Sequence, residues 1–231
     1  MRIVINFGHG PLSSGNFDPG AVAPDGYQES TETREVGTKI VAKLKANGWD
    51  VLAIQDGDLA DITHQSNLFK ADYFVSVHAD SFTTPDAHGT TTFAYSAGGK
   101  GEKIAIEIQN DLIASTGLTD RGVKFANYWV LKYTDCPAVL VEISFISNPA
   151  EEALMKQDSW NDKVASAICK GFSRAVGVSY ADGAIVPPKP IVEVVVDKDI
   201  YLSVRVRQSK SDVVVNQIIA MGYACKVLPL A

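Results

Sequence analysis

Four side chains capable of chemistry stand in or just after apolar or turn-rich segments. They are His9 in Ile3-Val4-Ile5-Asn6-Phe7-Gly8-His9-Gly10, Glu29 in Asp25-Gly26-Tyr27-Gln28-Glu29, His78 in Tyr73-Phe74-Val75-Ser76-Val77-His78-Ala79-Asp80, and Glu142 in Ala138-Val139-Leu140-Val141-Glu142-Ile143. Two histidines and one carboxylate are a common ligand set for a zinc ion that keeps a position open to water. A further glutamate after a buried strand is placed to take a proton from that water. The pattern predicts a metal-dependent hydrolase.

Each member has a plainer reading. A histidine after a strand is more often a satisfied core residue than a ligand. Gly8 and Gly10 shift the balance for His9, because glycines let backbone and solvent approach an imidazole closely. His78 follows an apolar run and precedes a polar exit, Ala79-Asp80-Ser81. Glu29 is one of three acids, with Glu32 and Glu35, at a predicted helix start, where the helix dipole by itself favours negative charge. The loop from Asp18-Pro19-Gly20-Ala21 to Gly26-Tyr27 suits Glu29 best, since Glu29 lies where that loop turns into the helix. Glu142 is anomalous: an ionised carboxylate in an apolar strand is costly unless it is paired or hydrogen-bonded. Either an edge salt bridge or a nearby cation such as zinc would remove the anomaly.

Something must bring residues so far apart together. Residues 2–7, 49–54, 73–78, 90–95, 129–132 and 138–143 read as strands. Residues 33–46 read as a helix with Val36, Ile40, Val41 and Leu44 on one face and Asn47-Gly48 as its stop. Helices are also predicted over 101–116, ending at Gly117, and over 161–176, with Val164, Ile168, Phe172 and Val176 at helical spacing. This alternation predicts an α/β fold, a mostly parallel twisted sheet flanked by helices. Sites in such sheets gather beyond the carboxyl ends of the strands. His9, His78 and Glu142 each stand at or just after a predicted strand end.

The chain has 231 residues, 46% hydrophobic and 21% charged, with a net charge of −6. That is enough for one large domain and a small appendage, and the charge does not favour nucleic acid or an anionic membrane. Cys136, Cys169 and Cys225 are odd in number and widely spaced, so no disulfide framework is expected. No run of about 18 apolar residues suggests a membrane span. Met1-Arg2 leads straight into Ile3-Val4-Ile5, too short for a secretory signal, so synthesis in the cytoplasm is expected. The chemistry-bearing domain is expected over 1–180, followed by a proline-rich linker over 181–190. A small β-α-β module should occupy 191–231, with strands at 201–206 and 223–228 around a helix at 211–221.

Seven ordered blocks of residues 1–180 resemble the zinc-dependent N-acetylmuramoyl-L-alanine amidases of the type 3 family, cell-wall enzymes of bacteria and phages. They are Gly8-His9-Gly10, Asp18-Pro19-Gly20-Ala21, Glu29, Ser76-Val77-His78-Ala79-Asp80, Gly89, Arg121-Gly122-Val123-Lys124, and Pro137 to Glu142 followed by Phe145-Ile146-Ser147-Asn148-Pro149. The resemblance implies that His9, Glu29 and His78 bind zinc and that Glu142 is catalytic. It implies a peptidoglycan substrate, cut between the lactyl group of N-acetylmuramic acid and L-alanine. Asp80 stands where the family usually has asparagine, and Ile62 to Asn67 lack its usual arginine; Asp80, His88 and Arg121 are candidates for substrate contact. The tail resembles the small wall-binding or dimerising modules of such enzymes. A phage endolysin released by a holin fits these features, as does a bacterial autolysin. The rival readings are a zinc peptidase acting within stem peptides and an inactive wall-binding protein.

Overall fold

The computed structural model describes residues 1–183 and, beyond them, two short strands. The elements run β1 (Arg2–Phe7), β2 (Gly10–Pro11), β3 (Phe17–Asp18), α1 (Glu29–Ala46), β4 (Asp50–Ile54), α2 (Leu59–Phe69), β5 (Tyr73–Asp80), β6 (Thr90–Ala94), α3 (Lys100–Thr116), β7 (Asp120–Phe125), α4 (Trp129–Lys132), β8 (Ala138–Phe145), α5 (Pro149–Met155), α6 (Asp158–Ala175), β9 (Val194–Val196) and β10 (Cys225–Val227). Contacts divide the chain into two units, Met1–Ala184 and Ile185–Ala231. In the second, β9 and β10 pair antiparallel. The strand expected at 201–206 and the helix expected at 211–221 lie outside the described residues.

Six strands form one sheet in the order β4-β1-β5-β8-β6-β7. All neighbours are parallel except β6 and β8, as the alternation of elements predicts. Side chains alternate between the two faces of a strand, and the two faces are clothed unequally. Ile3, Ile5, Val75, Val77, Val139, Val141 and Ile143 face a large core with α1, α3 and α6. Val4, Phe74, Ala138 and Leu140 face a smaller cluster under α2 and α4. Asn6, Ser76, His78 and Glu142 continue the alternation of this second face towards the carboxyl ends of β1, β5 and β8. There the short cover gives out, and a cleft remains.

Two features of the helices position the site. Val36, Ile40 and Leu44 bury one stripe of α1 completely or nearly so, and Gly37 lets the Phe7 ring lie against the helix where a Cβ would stand 2.2 Å from it. This fixes the amino end of α1, which begins at Glu29, four residues before the predicted start. On α2, Asp58 and Asp61 form a reciprocal capping box.

Residues 129–132 form a helical turn and not a strand. Among the described residues, no helix is long and apolar enough to cross a membrane, and Cys136 and Cys169 are free thiols.

Candidate metal centre

Beyond β1 the chain reverses sharply, with His9 at φ 64° and Gly10 at φ 129°. A histidine in the left-handed region carries a strain of roughly 1–2 kcal/mol, and two carboxylates hold this one. Asp18 Oδ2 lies 2.7 Å from Nδ1 and Glu29 Oε2 lies 3.1 Å from Nε2. The β2–β3 pair, which sets Gly10 beside Asp18, brings that acid round. Glu29 also accepts backbone hydrogen bonds from Ala21 on Oε2 (2.9 Å) and from Ala79 on Oε1 (3.1 Å). Its Oε1 is 2.9 Å from His78 Nδ1. Ligand atoms of His9, Glu29 and His78 all lie within 4.8 Å of one another.

Two glycines make the room. A Cβ on Gly8 would stand 2.4 Å from Cε1 of His78. One on Gly20, at φ 68°, would stand 2.6 Å from both Glu29 Oε2 and the His9 ring. Sequence reasoning linked Gly8 to His9, its neighbour, whereas its space serves His78, 70 residues on.

Glu142 is the register partner of His78 across β5–β8 and of Thr91 across β6–β8, so its side chain shares the cleft face with His78. Its Oε2 is buried and has no hydrogen-bond partner. Burial, followed by the negative charges of Glu29 and Asp80, pushes its pKa well above the usual carboxylate value. Glu29 behaves oppositely. Burial alone would raise it, but the hydrogen bonds and charges of His78 and His9 outweigh burial and hold it well below the usual range. Burial opposes charge on His9, yet Glu29 and Asp18 raise its pKa to about 9.

This arrangement fits a divalent cation, zinc foremost. It offers two nitrogens and a carboxylate from three elements, and Asp18 fixes Nδ1 of His9 so that Nε2 faces Glu29. It also offers a carboxylate oxygen, on Glu142, whose lack of a partner a nearby positive charge would relieve.

Asp80 ends β5, and burial raises its pKa although Arg121 and Lys124 pull it down. Arg121, on β7, holds its guanidinium 4.7 Å from the centre of the Phe145 ring and donates to the His88 carbonyl at 3.2 Å. The His88 ring turns back to the Asp86 carbonyl, with Nδ1 at 2.6 Å. None of these three lines the cleft of about 740 Å³ that opens beside His9, His78 and Glu142. Its far walls are Leu59 and Ile62 of α2, and Tyr128, Trp129 and Val130. Sequence reasoning missed Asp18 as a partner of His9, and Tyr128 and Trp129 as cleft residues. The signal for Asp18 was its place in the turn Asp18-Pro19-Gly20; the strand reading of 129–132 hid Trp129, and Tyr128 stands just before it.

The family model described as N-acetylmuramoyl-L-alanine amidase matches residues 3–174. The chain belongs to this amidase family. The amidase LytC of Bacillus subtilis is 32% identical over 176 residues, covering 73% of this chain and 34% of LytC. The endolysin of Bacillus phage SPP1 is 32% identical over 200 residues, covering 80% of this chain and 69% of the endolysin. The catalytic domain of CwlV, an amidase from Bacillus (Paenibacillus) polymyxa var. colistinus, superposes with a TM-score of 0.70 at 29% identity. That match covers 77% of this chain and 99% of the CwlV domain. The chain thus spans about a third of LytC and most of the phage endolysin. In this chain His9 follows β1, Glu29 opens α1, and His78 and Glu142 lie in the second halves of β5 and β8.

Proposed function

We propose that this protein hydrolyses peptidoglycan at the amide joining N-acetylmuramic acid to L-alanine, with zinc held by His9, Glu29 and His78. The observation that carries the reading is the unpartnered Glu142 carboxylate on the same face as the three-ligand group. The family match and the relatives named as amidases support the bond and the substrate.

Bound zinc supplies Lewis acidity, polarising the amide carbonyl and making water easier to deprotonate at neutral pH. The rest is done by the chain. Asp18 holds His9, and the backbone amides of Ala21 and Ala79 hold Glu29, so the ligand side chains do not reorganise during the reaction. Glu142 takes the proton from the attacking water. Burial pushes the Glu142 carboxyl up, and a cation held by the three ligands would favour the ionised form that accepts the proton. The carbon–nitrogen bond then breaks as Glu142 passes that proton to the departing amine of L-alanine. The left-handed backbone of His9, held by its side-chain partners Asp18 and Glu29, is the strain of a preformed site.

A bacteriolytic, endolysin-like role is the finer reading, supported by similarity to the SPP1 endolysin over most of the length of both proteins. Residues 181–190 serve as a linker in this reading, and 191–231 as a module for wall binding or self-association. Incubating the purified chain with defined muropeptides, with and without chelator, tests the activity. Intact stem peptides beginning with L-alanine are expected, and chelation should abolish them. Cleavage within the stem would instead identify a peptidase, and binding without cleavage an inactive wall-binding protein.

A further inference from the structure

The surroundings of the metal group differ on its two sides. Towards α2 and α4 the cleft is apolar and aromatic, with Asp18 and Asp58 as its lining carboxylates besides Glu142. Tyr128 and Trp129 are large and yet 41% and 42% exposed. The Tyr128 ring stands edge-on to Phe93 at 5.1 Å, and Trp129 packs on Tyr133 with ring centres 4.3 Å apart. Tyr133 is itself 44% exposed. These rings form a strip leading out of the cleft along α4, Tyr128 braced on Phe93 and Trp129 on its neighbour Tyr133, and braced exposed aromatics mark a binding surface. On the other side, past Asp80, the charges are cationic: Arg121 is braced on Phe145 and the His88 carbonyl, and Lys124 follows on the same strand.

The two halves of a muramyl peptide differ in the same way. The amide-linked muramyl sugar is uncharged and presents carbon–hydrogen faces and an acetyl methyl group. The stem peptide beyond L-alanine carries carboxylates. Acids on the aromatic side repel such a peptide, and the cations opposite attract it. Resting on the amidase reading, we propose that the glycan lies on the aromatic strip, its N-acetylmuramyl ring against Tyr128 and Trp129, while the stem peptide runs towards Arg121 and Lys124. Tyr128, Trp129 and Tyr133 are then specificity determinants for the sugar, and Arg121 for the peptide.

The chain carries its own probe. Its three tryptophans are Trp49, Trp129 and Trp160, and the first and last are 5% and 4% exposed. Acrylamide quenching of the full chain therefore reports on Trp129, and the C-terminal unit, having no tryptophan, adds nothing to the signal. A peptide-free tetrasaccharide of alternating N-acetylglucosamine and N-acetylmuramic acid, its lactyl carboxyls capped as primary amides so that it is uncharged, should shield the emission from acrylamide and shift it to the blue. The free stem tetrapeptide should do neither. Tyr133→Ala should weaken the glycan effect up to about tenfold in affinity, the worth of one aromatic contact. Arg121→Ala should weaken tetrapeptide binding, read by calorimetry, and leave glycan shielding as in the parent. Shielding by the tetrapeptide, or none by the glycan, overturns the proposal, and the parent protein alone decides this even if a variant misfolds. Muropeptide cleavage is scored separately. Cleavage without glycan shielding overturns the strip alone, whereas shielding without cleavage overturns the amidase reading and leaves the strip a glycan site.

Discussion

Gly8→Ala should cost the protein its metal while adding a single methyl group. That methyl would stand 2.4 Å from Cε1 of His78 and 2.6 Å from both ring nitrogens. Non-bonded carbons settle at about 3.5–4.0 Å, so the imidazole must withdraw by about 1 Å or more. The 2.9 Å approach of Nδ1 to Glu29 then opens to about 4 Å, too long for a hydrogen bond. Metal sites tolerate ligand displacements of only about 0.2 Å, so His78 is lost as a ligand. Losing an outer partner alone costs about 10–100-fold in metal affinity; displacing a ligand should cost at least the upper figure. Gly8 does not have a left-handed backbone, as Gly10 and Gly20 do, so alanine adds no backbone strain there. The assay is zinc titration against a chromophoric chelator, run as a double-mutant cycle with His78→Ala. In the His78→Ala background the new methyl enters vacated space, and Gly8→Ala should change zinc affinity no further. Parent-like zinc affinity in Gly8→Ala, or an equal further loss in the His78→Ala background, would refute the reasoning.

Glu142→Gln should retain zinc and the parent melting temperature while turnover on muropeptides falls by about 10²–10⁴-fold, the usual contribution of a general base; full activity in a zinc-loaded variant would remove the role. Glu32 is fully buried, with Oε1 unpartnered and Oε2 accepting from Tyr27 at 2.8 Å. Burial is the main cause that raises its pKa to about 8. A raised carboxylate contributes stability below its unfolded pKa, near 4.5, and loses it as pH rises through 8. Glu32→Gln should therefore gain on the parent across that window, by at most ~1.4 kcal/mol per pH unit. Melting curves from pH 4 to 9 that stay parallel would contradict this. Gly171→Ala would place a Cβ 2.4 Å from the Glu107 carbonyl oxygen and 2.6 Å from Ile108 Cα, both backbone of α3. Such overpacking costs about 1–3 kcal/mol, each worth about 2–4 °C of melting temperature in a chain of this size; an unshifted melt would contradict the close α3–α6 contact.

The central strands and the candidate His–Glu–His group were legible because their signals are local. β1, β5 and β8 are mostly apolar runs, and a charged or titratable residue inside such a run stands out. What escaped depended on tertiary contact. On α2 the buried residues include Thr63 and Ser66 beside Ile62, so its apolar stripe is broken by hydroxyls. The edge strand β7 has no buried residue, which leaves nothing for alternation to register. Trp129–Lys132 is a single helical turn, too short for periodicity to tell helix from strand, and Trp129 was thereby misplaced. Asp18 meets His9 only because β2 and β3 fold back on each other, and no spacing rule encodes that turn. Gly8 adjoins His9 in sequence, but its steric partner, His78, lies on another strand.

The claim beneath all of this is that His9, Glu29 and His78 close on one divalent ion next to Glu142. A crystal of the zinc-treated protein, measured on both sides of the zinc absorption edge, tests it most directly. A single anomalous peak bonded to these three side chains, at about 2.0–2.2 Å from nitrogen and oxygen, is the predicted result. No peak there, or a peak held by other residues, would contradict the account.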